Sequence, residues 1–192
     1  MTTAADEVRL ALATPDGAPE IEARAAREGW VLLERRPATS SSGAVSSWEL
    51  PALLATVYVV DDRFIGQSYL VLVGEDAERA AAGLRSSVAL VDLAEAQALA
   101  RPPGATAQRE SALRMVAVLA PVAYDETLMH LLADGLMADE LAIRATALEA
   151  LAAIGWVELH PLAAAVAAAD VDPGLRTRAS AVLGAFIAVH QG

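Results

Sequence analysis

Apolar positions recur along this chain with two different periods, and the change falls near residue 105. Before it, β-branched and aromatic residues come in short runs; after it, Ala and Leu recur in steps of three and four. In the first half, Ile21, Ala25 and Ala26 make one stripe of a helix predicted over 18–29. Pro19 lies early in it and Gly29 at its end, the usual placement of helix-starting and helix-ending residues. Trp30–Glu34 then reads as a strand. Thr56–Val60 and Tyr69–Val73 read as the arms of a hairpin over 56–73, with turn chemistry at Asp61-Asp62-Arg63. Gly66, inside the second arm, suggests a bulge. Thr39–Ser47 is mostly Ser and reads as an exposed loop. A short helix is predicted over 75–84, a further strand over 88–91 and a helix over 93–100. Residues 8–14 stay open between two readings. Val8, Leu10 and Leu12 alternate as in a strand. Thr3 with Asp6 makes a capping box, and Val8, Ala11 and Leu12 also fit one helix face. Helices between antiparallel strands predict a small α+β domain, ferredoxin-like or a related sandwich.

Arg101-Pro102-Pro103-Gly104-Ala105-Thr106 is a breaker cluster, and it places a boundary between residues 1–104 and 105–192. Beyond it one pattern repeats. Arg109 is followed by Ala112 and Met115-Val116, Arg144 by Ala147 and Ala150-Leu151, and Arg176 by Ala179 and Val182-Leu183. Such spacing puts the small and apolar residues on one helix face, with Arg at its edge. Partner helices are predicted over 125–136 and 158–169. Asp139 and Asp172 stand where N-caps or first-turn acids belong. His160-Pro161 suits a helix start.

The run Asp139-Glu-Leu-Ala-Ile-Arg144-Ala-Thr-Ala147-Leu-Glu-Ala150-Leu-Ala-Ala-Ile154-Gly155 and the run Asp172-Pro-Gly-Leu175-Arg176-Thr-Arg-Ala179-Ser-Ala-Val182-Leu183-Gly184 share an acid, an apolar-Arg step, spaced Ala and a closing Gly. This resembles the HEAT-like repeats of the phycobilisome-lyase type, over about residues 107–190. The Arg109 copy lacks the preceding acid and the closing Gly. The resemblance implies antiparallel helix pairs stacked into a solenoid. It also implies a surface for protein partners, while a lyase-like or small-ligand activity is the alternative it allows. Isolated helix pairs cannot bury their apolar faces, so such repeats stabilise one another by stacking.

Composition adds limits. The chain has 192 residues, 14 basic side chains, all Arg, against 25 acids, and a formal charge of -11. Its 45 Ala, with no Lys and no Asn, read as the codon usage of a GC-rich bacterial genome. The acids are spread over both halves. General electrostatic binding of nucleic acid, which needs clustered cations, is not expected. Without Cys there is no disulfide, thiolate metal site or cysteine nucleophile. No apolar run approaches the ~20 residues of a membrane span, and the acidic start Thr2–Glu7 is unlike a secretory leader, so a cytoplasmic protein is expected.

Candidate chemistry is sparse. His130, His160 and His190 lie far apart in sequence, and no metal site or cofactor is expected. Asp61-Asp62 reads as a turn before it reads as a carboxylate pair. Arg35 and Arg36, adjacent on a strand, point to opposite faces. Trp30, Trp48 and Trp156 read as packing residues. No catalytic constellation is visible. The expected function is a non-catalytic interaction or regulatory module, with an immunity-type inhibitor of a basic toxin as one variant. Its candidate contacts are Arg109, Arg144, Arg176 and His130, with Phe186 on a C-terminal helix whose two apolar stripes predict a contact with another copy. Acidity favours a basic partner.

Overall fold

A computed structural model of the chain describes residues 7–14, 17–39 and 43–190, and side chains as far as residue 187. The suggested capping box at Thr3 and Asp6, residues Pro15 and Asp16, Ser40–Ser42 and the His190 side chain lie outside the described residues. Ladder pairing on both sides settles the stretch that fits both periods as a strand. Leu10 and Leu12 are fully buried on one side of strand β1 (Glu7–Leu12), because a strand projects every second residue to one face. Helix α1 (Ala18–Glu28) follows, then strands β2 (Val31–Arg36), β3 (Ala44–Glu49), β4 (Thr56–Asp62) and β5 (Gln67–Val73), helix α2 (Ala77–Arg85) and the two-residue strand β6 (Leu90–Val91). All neighbours pair antiparallel in the order β2-β3-β4-β5-β1-β6.

Register explains the core. Leu10 lies across from Leu70, Leu70 from Val59, Leu72 from Val57 and Val57 from Trp48. One sheet face therefore carries a continuous apolar surface, covered by Ile21 and Ala25 of α1 and by Ala77, Ala80, Ala81 and Leu84 of α2. Each fully buried Leu here is worth about 2 kcal/mol. Gly29, at φ 67°, ends α1 in the left-handed conformation that glycine adopts without strain.

Two local expectations are corrected. Ala44–Glu49 is a central strand and not part of a Ser-rich loop; Ser47 is buried. Both flanking strands supply ladder partners, and small side chains fit between them. Gly66 makes no bulge. It ends the hairpin turn at φ 70°, its N–H donating to the Asp62 carbonyl at 2.8 Å, while the Asp62 carboxylate accepts from the Phe64 and Ile65 N–H groups. The bulge of this sheet lies instead between Leu32 and Glu34.

The chain divides into compact units at Met1–Leu93 and Ala94–Gly192. The second is helical: α3 (Leu93–Ala100), α4 (Thr106–Leu119), α5 (Glu126–Leu136), α6 (Leu141–Ile154), a 3-10 turn at Val157–Leu159, α7 (His160–Ala169) and α8 (Pro173–His190). The Arg101–Thr106 breaker falls between α3 and α4, inside this unit. Helix α6 packs against both α4 and α5, and α7 against α8, whereas α6 and α8 touch sparingly. Leu113, Leu128, Leu132, Ile143, Leu148 and Leu151 fill the centre. Asp125 caps α5 through the Leu128 N–H at 3.0 Å, and Asp172 caps α8 through Leu175 at 2.7 Å. Asp139 makes no such cap, because Glu140 occupies the N-cap position of α6. Among the described residues no helix is long and apolar enough to cross a membrane.

Candidate functional site

Three arginines occupy equivalent places. Arg109, Arg144 and Arg176 are each the fourth residue of their helices, α4, α6 and α8. From there each guanidinium turns back to the chain that precedes its helix. Arg109 Nε donates to the Ala100 carbonyl at 3.3 Å. Arg144 Nη1 donates to the carbonyls of Ala138 at 3.0 Å and Asp139 at 2.8 Å. Arg176 Nη1 donates to those of Asp170 at 2.6 Å and Val171 at 3.4 Å. Two of them also reach forward to an acid before the next Arg helix. Arg109 lies 3.8 Å from the Glu140 carboxylate, and Arg144 grips Asp170 through Nε at 2.9 Å and Nη2 at 3.4 Å. These are intramolecular bonds, and they fix the loops between helices.

The Arg144–Asp170 pair is the most enclosed part of this pattern, with side chains only 10% and 6% exposed. Burial alone would push the Asp170 carboxyl up. The Asp172 N–H, the hydrogen bond from Arg144 and the charges of Arg144 and Arg176 outweigh it and hold that carboxyl below its ordinary value. Asp170 is therefore a fixed anion and not a proton shuttle, and Arg144 is spent on it.

Above this pair lies a groove of about 480 Å³ between the end of α5 and α7. Its walls are Leu136 and Met137 on one side and Leu162, Val166 and Val171 on the other, with alanines between, and Arg144, Asp139 and Asp170 at its polar end. The gap follows from packing: α6 with α5 and α8 with α7 form tight pairs that meet sparingly. Met137 is 83% exposed and Val171 85% exposed. Both sit in short loops just past helix ends, where polar residues are usual. Asp139, at the polar end of the groove, and Asp134, next in sequence to the lining residue Ala133, are exposed, and their carboxylates have no partner among the described residues.

Of the candidate contacts, the groove brings in Arg144 directly. Arg176 contributes through the Asp170 carbonyl, and Arg109, on α4, does not line the groove. His130 is exposed, 3.7 Å from Glu126 on its own helix. Phe186 is buried edge-on against the His160 ring, with centroids 6.3 Å apart. Exposed apolar surface near the end of α8 is supplied instead by Ile187. Asp170, Met137 and Val171 were not singled out by pattern; two apolar residues in acid-flanked loops were the available signal. Among the described residues there is no group of three potential metal ligands. Comparison with protein-family models, curated protein sequences and solved structures finds no match.

Proposed function

We propose that the protein is a non-catalytic partner-binding module whose helical unit takes an apolar segment of a basic partner into the groove between α5 and α7. The observation that carries this is the exposure of Met137 and Val171 at the mouth of an apolar groove whose polar end holds the Asp139 carboxylate, unpaired among the described residues. An amphipathic helix laid apolar face down matches such a groove, and Lys or Arg on its flanks meets Asp134 and Asp139. An inhibitor of a basic toxin is one special case of the same surface. The equivalent positions of the three arginines support reading the helical unit as a HEAT-like stack, in which grooves between successive helix pairs are natural docking sites. For the first unit, the order β6-β1-β5 followed outward by β2 is that of a ferredoxin-like sandwich with β3 and β4 intercalated, which supports that finer reading.

Fluorescence anisotropy with labelled Leu-rich helical peptides tests the reading. The peptide flanked by Arg should bind saturably, and the same peptide flanked by Glu should not. Met137→Asp with Val171→Asp should weaken binding about tenfold or more, equivalent to about 1.4 kcal/mol, with an unchanged circular dichroism spectrum. Equal binding of both peptides, or no effect of the double substitution, would sink the proposal.

A further inference from the structure

The groove of the helical unit carries one oxidisable side chain at its mouth. The chain has four methionines and no Cys. Met1 lies outside the described residues. Met115 is 4% exposed inside α4, and Met129 is half-buried on α5. Met137 differs from both. It stands just past the last residue of α5, at the C-cap position, and forms part of the groove wall that faces Leu162, Val166 and Val171. It is 83% exposed. Leu, Ile or Val at this place would supply apolar surface equally well, as Val171 does on the other wall. A thioether adds a soft, adaptable contact and a sulfur that takes up an oxygen atom. With no Cys in the chain, no thiol of its own competes for an oxidant.

We propose that Met137 is a modification site that switches the groove: oxygen transfer from a peroxide to its Sδ lowers the affinity for the partner. The inference rests on the docking role given above to this groove. With hydrogen peroxide the step balances between the two reactants. A sulfur lone pair attacks one peroxide oxygen, the O–O bond breaks and a sulfur–oxygen bond forms. The other oxygen keeps both protons and leaves as water. Sulfur loses two electrons, and the peroxide gains them. The sulfoxide is polar and accepts hydrogen bonds from water. In the free protein it stays hydrated, because the side chain is exposed. When an apolar segment covers the mouth, that oxygen loses its water against Leu162, Val166 and the incoming aliphatic groups, none of which donates a hydrogen bond. Arg144, at the polar end, already donates to Ala138, Asp139 and Asp170. The cost therefore falls on the complex, and the helices keep their packing. The cover also works in reverse: a bound segment shields Sδ from the peroxide. Reduction of the sulfoxide by a dithiol-dependent reductase takes up two electrons and two protons, releases water and restores the thioether.

Treatment of the full chain with hydrogen peroxide tests this, read by mass mapping of its peptides and by anisotropy with the Arg-flanked helical peptide. Met137 should gain oxygen before Met115 and Met129, and more slowly when the peptide is bound. The oxidised protein should bind the peptide about tenfold more weakly, with an unchanged circular dichroism spectrum. Sulfoxide reductases for both epimers should restore the affinity. Met137→Leu should bind as the untreated wild type does and should keep that affinity after peroxide. Met137→Gln, polar and of similar length, should bind as weakly as the oxidised wild type. Three results each overturn the switch: Met115 or Met129 oxidising first, equal binding by oxidised and untreated wild type, or a Met137→Leu variant that loses affinity to peroxide as wild type does. In all three the untreated protein still binds the peptide, so the docking role stands. An untreated protein that does not bind the peptide overturns the docking role, and the switch with it.

Discussion

Arg144 donates four hydrogen bonds, two to the carbonyls of Ala138 and Asp139 and two to the Asp170 carboxylate. Truncating it leaves an enclosed anion and two carbonyls without their donor. Removing one partner of a buried pair costs several times what an exposed pair is worth, and Arg144→Met should destabilise the protein by about 3 kcal/mol in urea denaturation at neutral pH. Asp170→Asn keeps the shape and part of the hydrogen bonding, so it should cost less, about 1.5 kcal/mol. Its cost should also depend on pH. The Asp170 carboxyl is depressed in the folded protein. Its contribution is therefore complete above the unfolded carboxyl range near ~3.9 and is lost as pH falls through the lower folded value. Denaturation of wild type and Asp170→Asn at neutral pH and again in acid should show the gap between them closing. A gap that is equal at both pH values means that charge contributes nothing at this position.

At the scale of elements, three glycines in similar settings have different tasks. Gly135 of α5 meets α6 so closely that an added Cβ would lie 2.9 Å from Ala147 Cβ. Ala there gains about 1 kcal/mol of helix propensity and loses about 1–3 kcal/mol to overpacking, so Gly135→Ala should lower the melting temperature. Gly184 of α8 has nothing within 4 Å of an added Cβ, so Gly184→Ala should raise stability by about 0.5–1 kcal/mol. Gly155 closes α6 at φ 72°, where a side chain is strained whatever the space. The repeat pattern aligns Gly155 with Gly184, yet only Gly155 is held in the left-handed conformation; thermal melts of the Gly135 and Gly184 variants should move in opposite directions. The same split between local and long-range causes decides what the sequence made legible. The helices from α4 to α8 could be read because the spacing of Arg109, Ala112 and Met115 and its later copies is local. The β4–β5 hairpin was legible from its β-branched arms and acidic turn. β1 was ambiguous because Val8, Ala11 and Leu12 fit a helix as well as a strand; pairing with β5, sixty residues on, decides it. β3 was hidden because Ser46 and Ser47 look like loop residues until strands stand on both sides. The only local signature of the groove is the pair of apolar residues, Met137 and Val171, in acid-flanked loops, since its volume is what is left where two helix pairs meet sparingly. The partners of the three arginines were silent, because Glu140 and Asp170 are brought near by stacking and not by spacing.

Charge acts on the whole molecule. Residues 1–93 hold 8 Arg against 14 acids, and residues 94–192 hold 6 against 11, so both units are acidic. In the helical unit the cations are largely occupied: Arg109 with Glu140, Arg114 with Glu110, Arg144 with Asp170 and Arg178 with Glu149, while Arg176 is turned to carbonyls. Asp139, which lines the groove, and Asp134, next in sequence to the lining residue Ala133, remain uncompensated among the described residues. The net negative potential there steers a cationic segment toward the groove before any apolar contact forms. Two forces then act with opposite responses to salt. The charged rim is screened, because the Debye length shrinks from about 10 Å at about 0.1 M to about 3 Å at about 1 M. The apolar contact of Met137 and Val171 is not weakened by salt. Stopped-flow association of the Arg-flanked peptide should slow by about tenfold across that range while its dissociation rate changes little, as expected when charge sets encounter and not residence. Asp134→Asn with Asp139→Asn should flatten the salt dependence, and Met137→Asp should instead speed dissociation. An association rate indifferent to salt would mean that the acidity of this chain has no part in choosing its partner, and that the groove works by apolar contact alone.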